Sequence, residues 1–224
     1  MSHNGFELDK YFKTDDLKKC SRFWIILFKT ILSKLYHWKI YVVGSVEYQY
    51  PNHLFQAGYF LDKKYYDENT IDFKHLLLSE KNQSLLKDIQ NSNSVGVHIR
   101  RGDYMTKQNL VIFGNICTQK YYHDAIRIIT EKVNDAVFYV FSDDISWVQT
   151  HLDIPNAVYV NWNTGESSIY DMYLMSSCKY NIIANSTFSY WAARLNKKTN
   201  MVIYPSKWYN TFIPDIFPES WCGI

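Results

Sequence analysis

From Asn91 to its end the chain alternates short apolar runs with amphipathic segments, and that alternation confines the fold. The polar stretch Asn91–Ser94 leads from a helix into Val95–Arg100, a β-branched run that reads as a strand. Gln119–Val133 follows with helical spacing through Tyr122, Ala125, Ile129 and Val133, capped by Thr118. Ala136–Phe141 is continuously apolar, as a strand buried on both faces of a parallel sheet must be. Asp143 or Asp144 can cap a short helix ending near Leu152. Then come a strand at Ala157–Val160, a helix at Ser168–Ser177, a strand at Tyr180–Ala184, a helix at Thr187–Leu195 and a final strand at Met201–Tyr204. Five strands alternating with four helices predict an α/β fold with a doubly wound, Rossmann-like parallel sheet.

Residues 1–90 are less regular. Helices are expected at Thr14–Leu35 and Asp72–Gln90 and a strand at Lys39–Val43, while Tyr48–Lys64 is aromatic and irregular. The division expected is 1–90 as one unit and 91–224 as the other.

In doubly wound sheets ligands bind beyond the carboxyl ends of the strands. Those ends carry His98-Ile99-Arg100-Arg101-Gly102-Asp103, Ser142-Asp143-Asp144 and Asn185-Ser186-Thr187. Adjacent arginines beside a histidine and an aspartate make a compact cationic site, and guanidinium forks suit phosphate oxygens. The same cluster reads equally well as a strand-end salt bridge, and Asp143 and Asp144 as a capping pair. A metal-holding acidic pair is disfavoured, because adjacent side chains diverge and the arginines already neutralise charge. Trp147, Trp162 and Trp191 read as packing, and His53, His75, His123 and His151 as ordinary residues.

A net charge of +2 without a long basic run excludes a nucleic-acid binder, so an anionic ligand must meet a local cluster. The scattered Cys20, Cys117, Cys178 and Cys222 lack a C-x-x-C pair and suit free thiols in a reducing cytoplasm. The polar start Met1–Asp9 does not read as a signal peptide, and Phe23–Phe28 is too short to span a bilayer. Phe23–Lys39 reads as a buried amphipathic helix, with peripheral contact at the inner face of a membrane as the alternative. Asn82-Gln83-Ser84 and Asn185-Ser186-Thr187 match the glycosylation sequon, which carries no meaning in the cytoplasm.

The string Val97-His98-Ile99-Arg100-Arg101-Gly102-Asp103-Tyr104 resembles the H-x-R-R-x-D signature of fucosyltransferases. Its Gly and Tyr are similar to those of the α-1,2 branch, glycosyltransferase family 11. Phe138–Asp144 resembles that family's second motif, and Asp171–Ser176 running on to Ile183–Ala193 its third. Asn4–Leu8 and Gly58-Tyr59-Phe60 also look like family segments.

The resemblance implies an inverting GT-B transferase that moves fucose from GDP-β-L-fucose to a galactose hydroxyl of a glycan acceptor, with no metal cofactor. Under it, Arg100 and Arg101 stabilise the departing GDP, and His98 neighbours the nucleotide. The Asn185-Ser186-Thr187 turn and Ser189 meet the pyrophosphate at a helix N-terminus. Asp171 matches the position suspected of reading guanine, and Asp143 and Asp144 are further donor-side candidates. Asp103 can orient a guanidinium and is a candidate general base by chemistry alone. The family's glycine-rich G-G-L-G-N-Q stretch has no counterpart, so residues 1–90 are expected to be the remnant of an acceptor-side domain. Three functions follow: an active transferase, which is favoured; a truncated homologue that binds GDP-fucose or GDP with little turnover; and a partner-binding protein with a vestigial site.

Overall fold

A computed structural model describes residues 8–13, 23, 31, 41–44, 55–58, 71–211 and 213–224. Its elements are α1 (Leu8–Tyr11), β1 (Tyr41–Gly44), β2 (Phe55–Gly58), α2 (Glu80–Asn91), β3 (Asn93–Ile99), α3 (Lys107–Phe113), α4 (Gln119–Thr130) and β4 (Ala136–Ser142). They continue with α5 (Ile145–His151), β5 (Ala157–Val160), α6 (Ser168–Ser176), β6 (Tyr180–Ile182), α7 (Thr187–Arg194), β7 (Met201–Tyr204) and β8 (Cys222–Gly223). Short 3-10 turns at Gly102–Met105 and Gly165–Ser167 precede α3 and α6.

The main sheet has six strands in the order β5-β4-β3-β6-β7-β8, all paired in parallel. Numbered in chain order within the sheet this is 3-2-1-4-5-6, the doubly wound order. The chain builds outward from β3 to β5, then crosses back to lay β6 on the other side of β3. The crevice between the carboxyl ends of β3 and β6 is therefore the topological switch point.

Strand alternation buries both faces. Phe138 and Val140 of β4 join Val95, Val97 and Ile99 of β3 against Tyr122, Ala125, Ile126 and Ile129 of α4. Tyr139 and Phe141 face the other way, against a layer holding Ile89 of α2, Met172 and Met175 of α6 and Ala192 of α7. Tyr11, Phe12 and Phe73 pack into that second layer. The expected doubly wound α/β sheet is present.

Several boundaries differ from the sequence expectation. Asn93 and Ser94 are strand residues, in register with Ala136 and Val137. The helix expected from Asp72 starts only at Glu80. Phe73 is bridged antiparallel to Phe12, and Ser79 caps α2 by accepting from the Asn82 backbone N–H at 3.3 Å. The strand expected to reach Ala184 ends at Ile182. Helix α3 and strand β8 were not expected; β8 makes Met201–Tyr204 the penultimate strand. Tyr41–Gly44 pairs in parallel with Phe55–Gly58, a strand inside the stretch read as irregular. The Thr14–Leu35 helix, the Phe23–Lys39 face and the Asn4–Leu8 and Gly58–Phe60 segments lie largely outside the described residues; Phe23 and Ile31 are helical and exposed. Cys117, Cys178 and Cys222 carry no disulfide.

Candidate functional site

The carboxyl end of β3 delivers the arginines into an ion network. Arg100 bonds Asp103 at 2.6 Å and Asp143 at 2.8 Å. Arg101 reaches Asp144 through Nε at 3.3 Å, and its guanidinium lies 3.7 Å from the centre of the Trp147 ring. The Arg101 backbone N–H donates to Asp143 Oδ1 at 2.9 Å. Asp144 also caps α5, its Oδ1 accepting from the Trp147 backbone N–H at 3.1 Å. Both aspartates after β4 are thus tied to the arginines after β3, as the parallel pairing of Ile99 with Ser142 requires. Two guanidiniums face three carboxylates, so of the two readings the sequence left open the strand-end ion pairing is present, and the arginines are not an unpaired cationic patch. Each guanidinium nonetheless keeps N–H donors beyond those its carboxylates use.

Gly102 makes this packing possible. A Cβ there would lie 2.4 Å from Asp143 Oδ2, inside the space the carboxylate needs to reach Arg100.

His98 lies beneath the arginines, 6% exposed, its ring 5.1 Å from that of Phe188 in α7. Burial, aided by the Arg100 charge, pushes its pKa down to about 3, so the imidazole is neutral at physiological pH. Its enclosed Nδ1 has no hydrogen-bond partner. A buried polar atom left without a partner is uncommon in a protein interior and sets His98 apart from the surrounding core.

Across the switch point, α7 begins at the carboxyl end of β6. Ser186 occupies its cap position without a side-chain capping bond, and the first backbone N–H groups of a helix have no intrahelical acceptor. Thr187 is exposed there, while Ser186 is buried. Ser189 faces inward, its hydroxyl set against Ala184 O at 3.3 Å and Ser186 O at 3.2 Å, and so shapes the turn.

Asn185 is a fastener. Its Nδ2 donates to Phe113 O at 3.2 Å and Trp208 O at 3.1 Å, and its Oδ1 accepts from Cys117 Sγ at 3.4 Å. Burial pushes the Cys117 thiol up to about 12, which keeps it protonated for that bond. Both sequon asparagines are inaccessible, Asn82 at 1% and Asn185 at 2% exposure.

The two strand ends are coupled. Tyr104 donates to Asn185 O at 2.9 Å, and Phe188 meets His98 as above. His98, Arg100, Arg101, Asp103, Asp143, Asp144 and the Asn185–Thr187 turn therefore form one constellation. Asp171 stands apart, in the first turn of α6 beyond the end of β5. Its Oδ1 accepts from Asn163 Nδ2 at 2.7 Å. Burial raises its pKa to about 7, against the lowering effect of that bond.

The sequence marks Trp147 only as packing, without its partner, the Arg101 guanidinium, and does not single out Asn163. The Asp144-x-x-Trp147 spacing of a capped first turn was the available signal for the former; nothing local marks Asn163. Among the described residues, no group of three or more His, Cys, Asp or Glu could hold a metal ion.

The chain is similar in sequence to known glycosyltransferases. The chain is 35% identical over 196 residues to an α-1,2-colitosyltransferase of Escherichia coli, covering 81% of this chain and 63% of that one. It is 44% identical over 122 residues to the O-antigen biosynthesis glycosyltransferase WbnK of Escherichia coli, covering 54% and 40%. To galactoside α-(1,2)-fucosyltransferase 2 of Pongo pygmaeus it is 28% identical over 163 residues, covering 67% and 48%. The chain thus spans between 40% and 63% of the length of these relatives. The family model for glycosyl transferase family 11 matches residues 13–224, a span that takes in both coupled strand ends and Asp171, and the chain belongs to that family.

Proposed function

We propose that this chain carries the donor site of an inverting, metal-independent transferase that moves fucose from GDP-β-L-fucose to a galactose hydroxyl of a glycan, a galactoside α-1,2-fucosyltransferase of GT-B architecture. The observation that carries the reading is the pairing of the arginine-bearing end of β3 with the uncapped N-terminus of α7 across the switch point of the sheet. Residues 91–224, with α2 packed on them, hold the nucleotide sugar; residues 1–90 serve the acceptor side. Phe23 and Ile31, both exposed, support peripheral contact with the inner face of a membrane. Among the described residues no helix is long and apolar enough to cross one.

In this reading the acceptor oxygen attacks the anomeric carbon, the bond to the β-phosphate oxygen breaks, and GDP leaves with the electron pair. The arginines and the α7 N–H groups receive the charge that develops on GDP, the largest contribution fixed dipoles and cations make to such a step. Arg100 then exchanges Asp103 for phosphate oxygens. The acceptor proton passes to a base, for which Asp103 is a candidate, its side chain 51% exposed beside Arg100. Asp171 accepts from the guanine N1–H and N2–H₂. His98 offers its open Nδ1 to the nucleotide.

The 35%-identical relative is a colitosyltransferase, which supports a second donor, the nucleotide-activated colitose. Calorimetry with GDP, followed by transfer assays with GDP-fucose and the colitosyl donor on a β-galactoside, tests both. Transfer abolished in Arg101→Ala and unchanged in chelator is the expected result. Binding without transfer indicates a chain that holds GDP without turning over, and the lack of GDP binding at millimolar concentration would overturn the reading. Turnover lost in chelator would overturn its metal independence.

A further inference from the structure

We propose that Trp162, Asn82 and Asn163 form a hydrogen-bond relay of fixed amide orientation that holds Asp171 as an acceptor, in the state in which it reads a guanine base. The proposal rests on the reading of Asp171 as the guanine contact and adds what fixes it. Trp162 Nε1 donates to Asn82 Oδ1 at 2.7 Å. Asn82 and Asn163 bond each other in both directions, Asn82 Nδ2 to Asn163 Oδ1 at 3.0 Å and Asn163 Nδ2 to Asn82 Oδ1 at 3.1 Å. The second proton of Asn163 Nδ2 goes to Asp171 Oδ1 at 2.7 Å.

The direction of this chain follows from one side chain. An amide can flip, but an indole N–H only donates. The atom facing Trp162 must therefore be the Asn82 oxygen, which turns the Asn82 nitrogen to Asn163. That in turn points the Asn163 nitrogen at Asp171. Asn82 is 1% exposed, so water cannot substitute for either partner.

The consequence falls on the carboxylate. Guanine presents N1–H and N2–H₂, which need two acceptor oxygens, and a protonated carboxyl turns one of them into a donor. Burial favours that protonated form, and the Asn163 bond opposes it. A flipped Asn163 would present its oxygen to the carboxylate and add to the burial effect. Two charged groups of the neighbouring elements are engaged elsewhere. Lys81 of α2 lies 3.7 Å from the centre of the Trp162 ring, and Lys10 pairs with Glu166 at 3.5 Å. Trp162, Asn82 and Asn163 are positioning residues, since they act through Asp171.

The test is GDP affinity against pH, measured by titration calorimetry on the full chain for the wild type, Trp162→Phe, Asn163→Ala and Asp171→Asn. Titration of the GDP phosphates is common to all four proteins and cancels in the comparison. Trp162→Phe keeps the ring and removes only the N–H. The pH below which affinity is lost should move up by about half to one unit, giving roughly two- to fivefold weaker GDP binding at neutral pH and recovery at about pH 9. Asn163→Ala should shift it further in the same direction. Affinity lowered equally at every pH would reduce the three residues to packing and overturn the relay, as would a profile identical to wild type. If Trp162→Phe does not fold, the Asn163→Ala profile decides on the same criteria. Asp171→Asn separates this from the underlying reading, and should lose GDP and gain xanthosine diphosphate, whose 2-oxo group matches an amide donor. Asp171→Asn that binds GDP like wild type sinks the guanine contact itself. Loss of GDP in Asp171→Asn with unshifted profiles in the other two sinks the relay alone.

Discussion

Arg101 is restrained on three sides, and each restraint can be removed separately. Asp144 holds Nε, the Trp147 ring supports the guanidinium plane at 3.7 Å, and Asp143 takes the backbone N–H. The stack continues outward, with His151 lying 4.6 Å from Trp147 at 12° between rings. Trp147→Ala should weaken donor binding by about fivefold, the worth of an ordinary cation–π contact near 1 kcal/mol, with Trp147→Phe retaining most of it. The readout is the KM for the donor against kcat. Arg101→Lys should not rescue Arg101→Ala, because an ammonium cannot lie flat on the indole while bonding Asp144 and a phosphate together. Gly102 is sensitive for a different reason. Gly102→Ala places a methyl where Asp143 Oδ2 stands, 2.4 Å away, and must push that carboxylate off Arg100. We expect GDP affinity to fall in this variant with little change in far-UV circular dichroism, since the affected bonds are local.

At the level of elements, Asp144 couples the start of α5 to the end of β3 by using one oxygen for each. Asp144→Asn preserves the cap, asparagine being as good an N-cap as aspartate, and should leave thermal stability nearly unchanged while weakening Arg101. Asp144→Ala loses both and should cost about 1 kcal/mol more. Equal melting temperatures for the two variants would show that the cap contributes nothing. The same contrast shows what was legible in the sequence. Strands β3 to β7 could be read from short apolar runs such as Ala136–Phe141, although the edge strand β5 is buried only at Val160, and α4 because Thr118 and an apolar stripe mark its start and face. Strand β8 has two residues, Cys222–Gly223, whose pairing with Ile203 and Tyr204 is set by tertiary contact alone. Helix α3 follows the motif without an apolar stripe; none of its residues is buried. Within the site, residue types at strand ends identified the arginines and aspartates. The pairing of Arg100 with Asp103 was open to local reading, but the bonds of Asp143 and Asp144 to the arginines were not, because they depend on β3 and β4 ending in register. Asn185 and Ser189 were read as ligand contacts from their place in the motif. Their bonds to Phe113, Trp208 and Ala184 are what the fold, and not the local sequence, decides.

For the whole molecule, the 3-2-1-4-5-6 order gathers the strand ends at one edge, and α2 adds to that edge a polar contact from outside the sheet, through Asn82. The arrangement costs stability where it serves binding. Asp171 has its pKa raised from an ordinary 3.8 to about 7 by burial, so the folded state prefers the carboxyl protonated. That preference contributes stability fully below the unfolded value and loses it as pH rises through the folded one. Near neutral pH, where guanine requires the ionised form, roughly half of the free protein still carries the proton, and ionising it is part of the cost of binding. Asp171→Asn keeps the acceptor oxygen for Asn163 and removes the ionisation. Its melting temperature should match that of wild type near pH 4 and exceed it increasingly toward pH 8, by ~2–4 °C for each kcal/mol recovered. Saturating GDP should reverse the order, because ligand that binds only the folded wild type stabilises it by mass action and the variant has lost that ligand. A melting-temperature difference that is flat between pH 4 and pH 8 would show that Asp171 is not the group whose ionisation is traded for recognition.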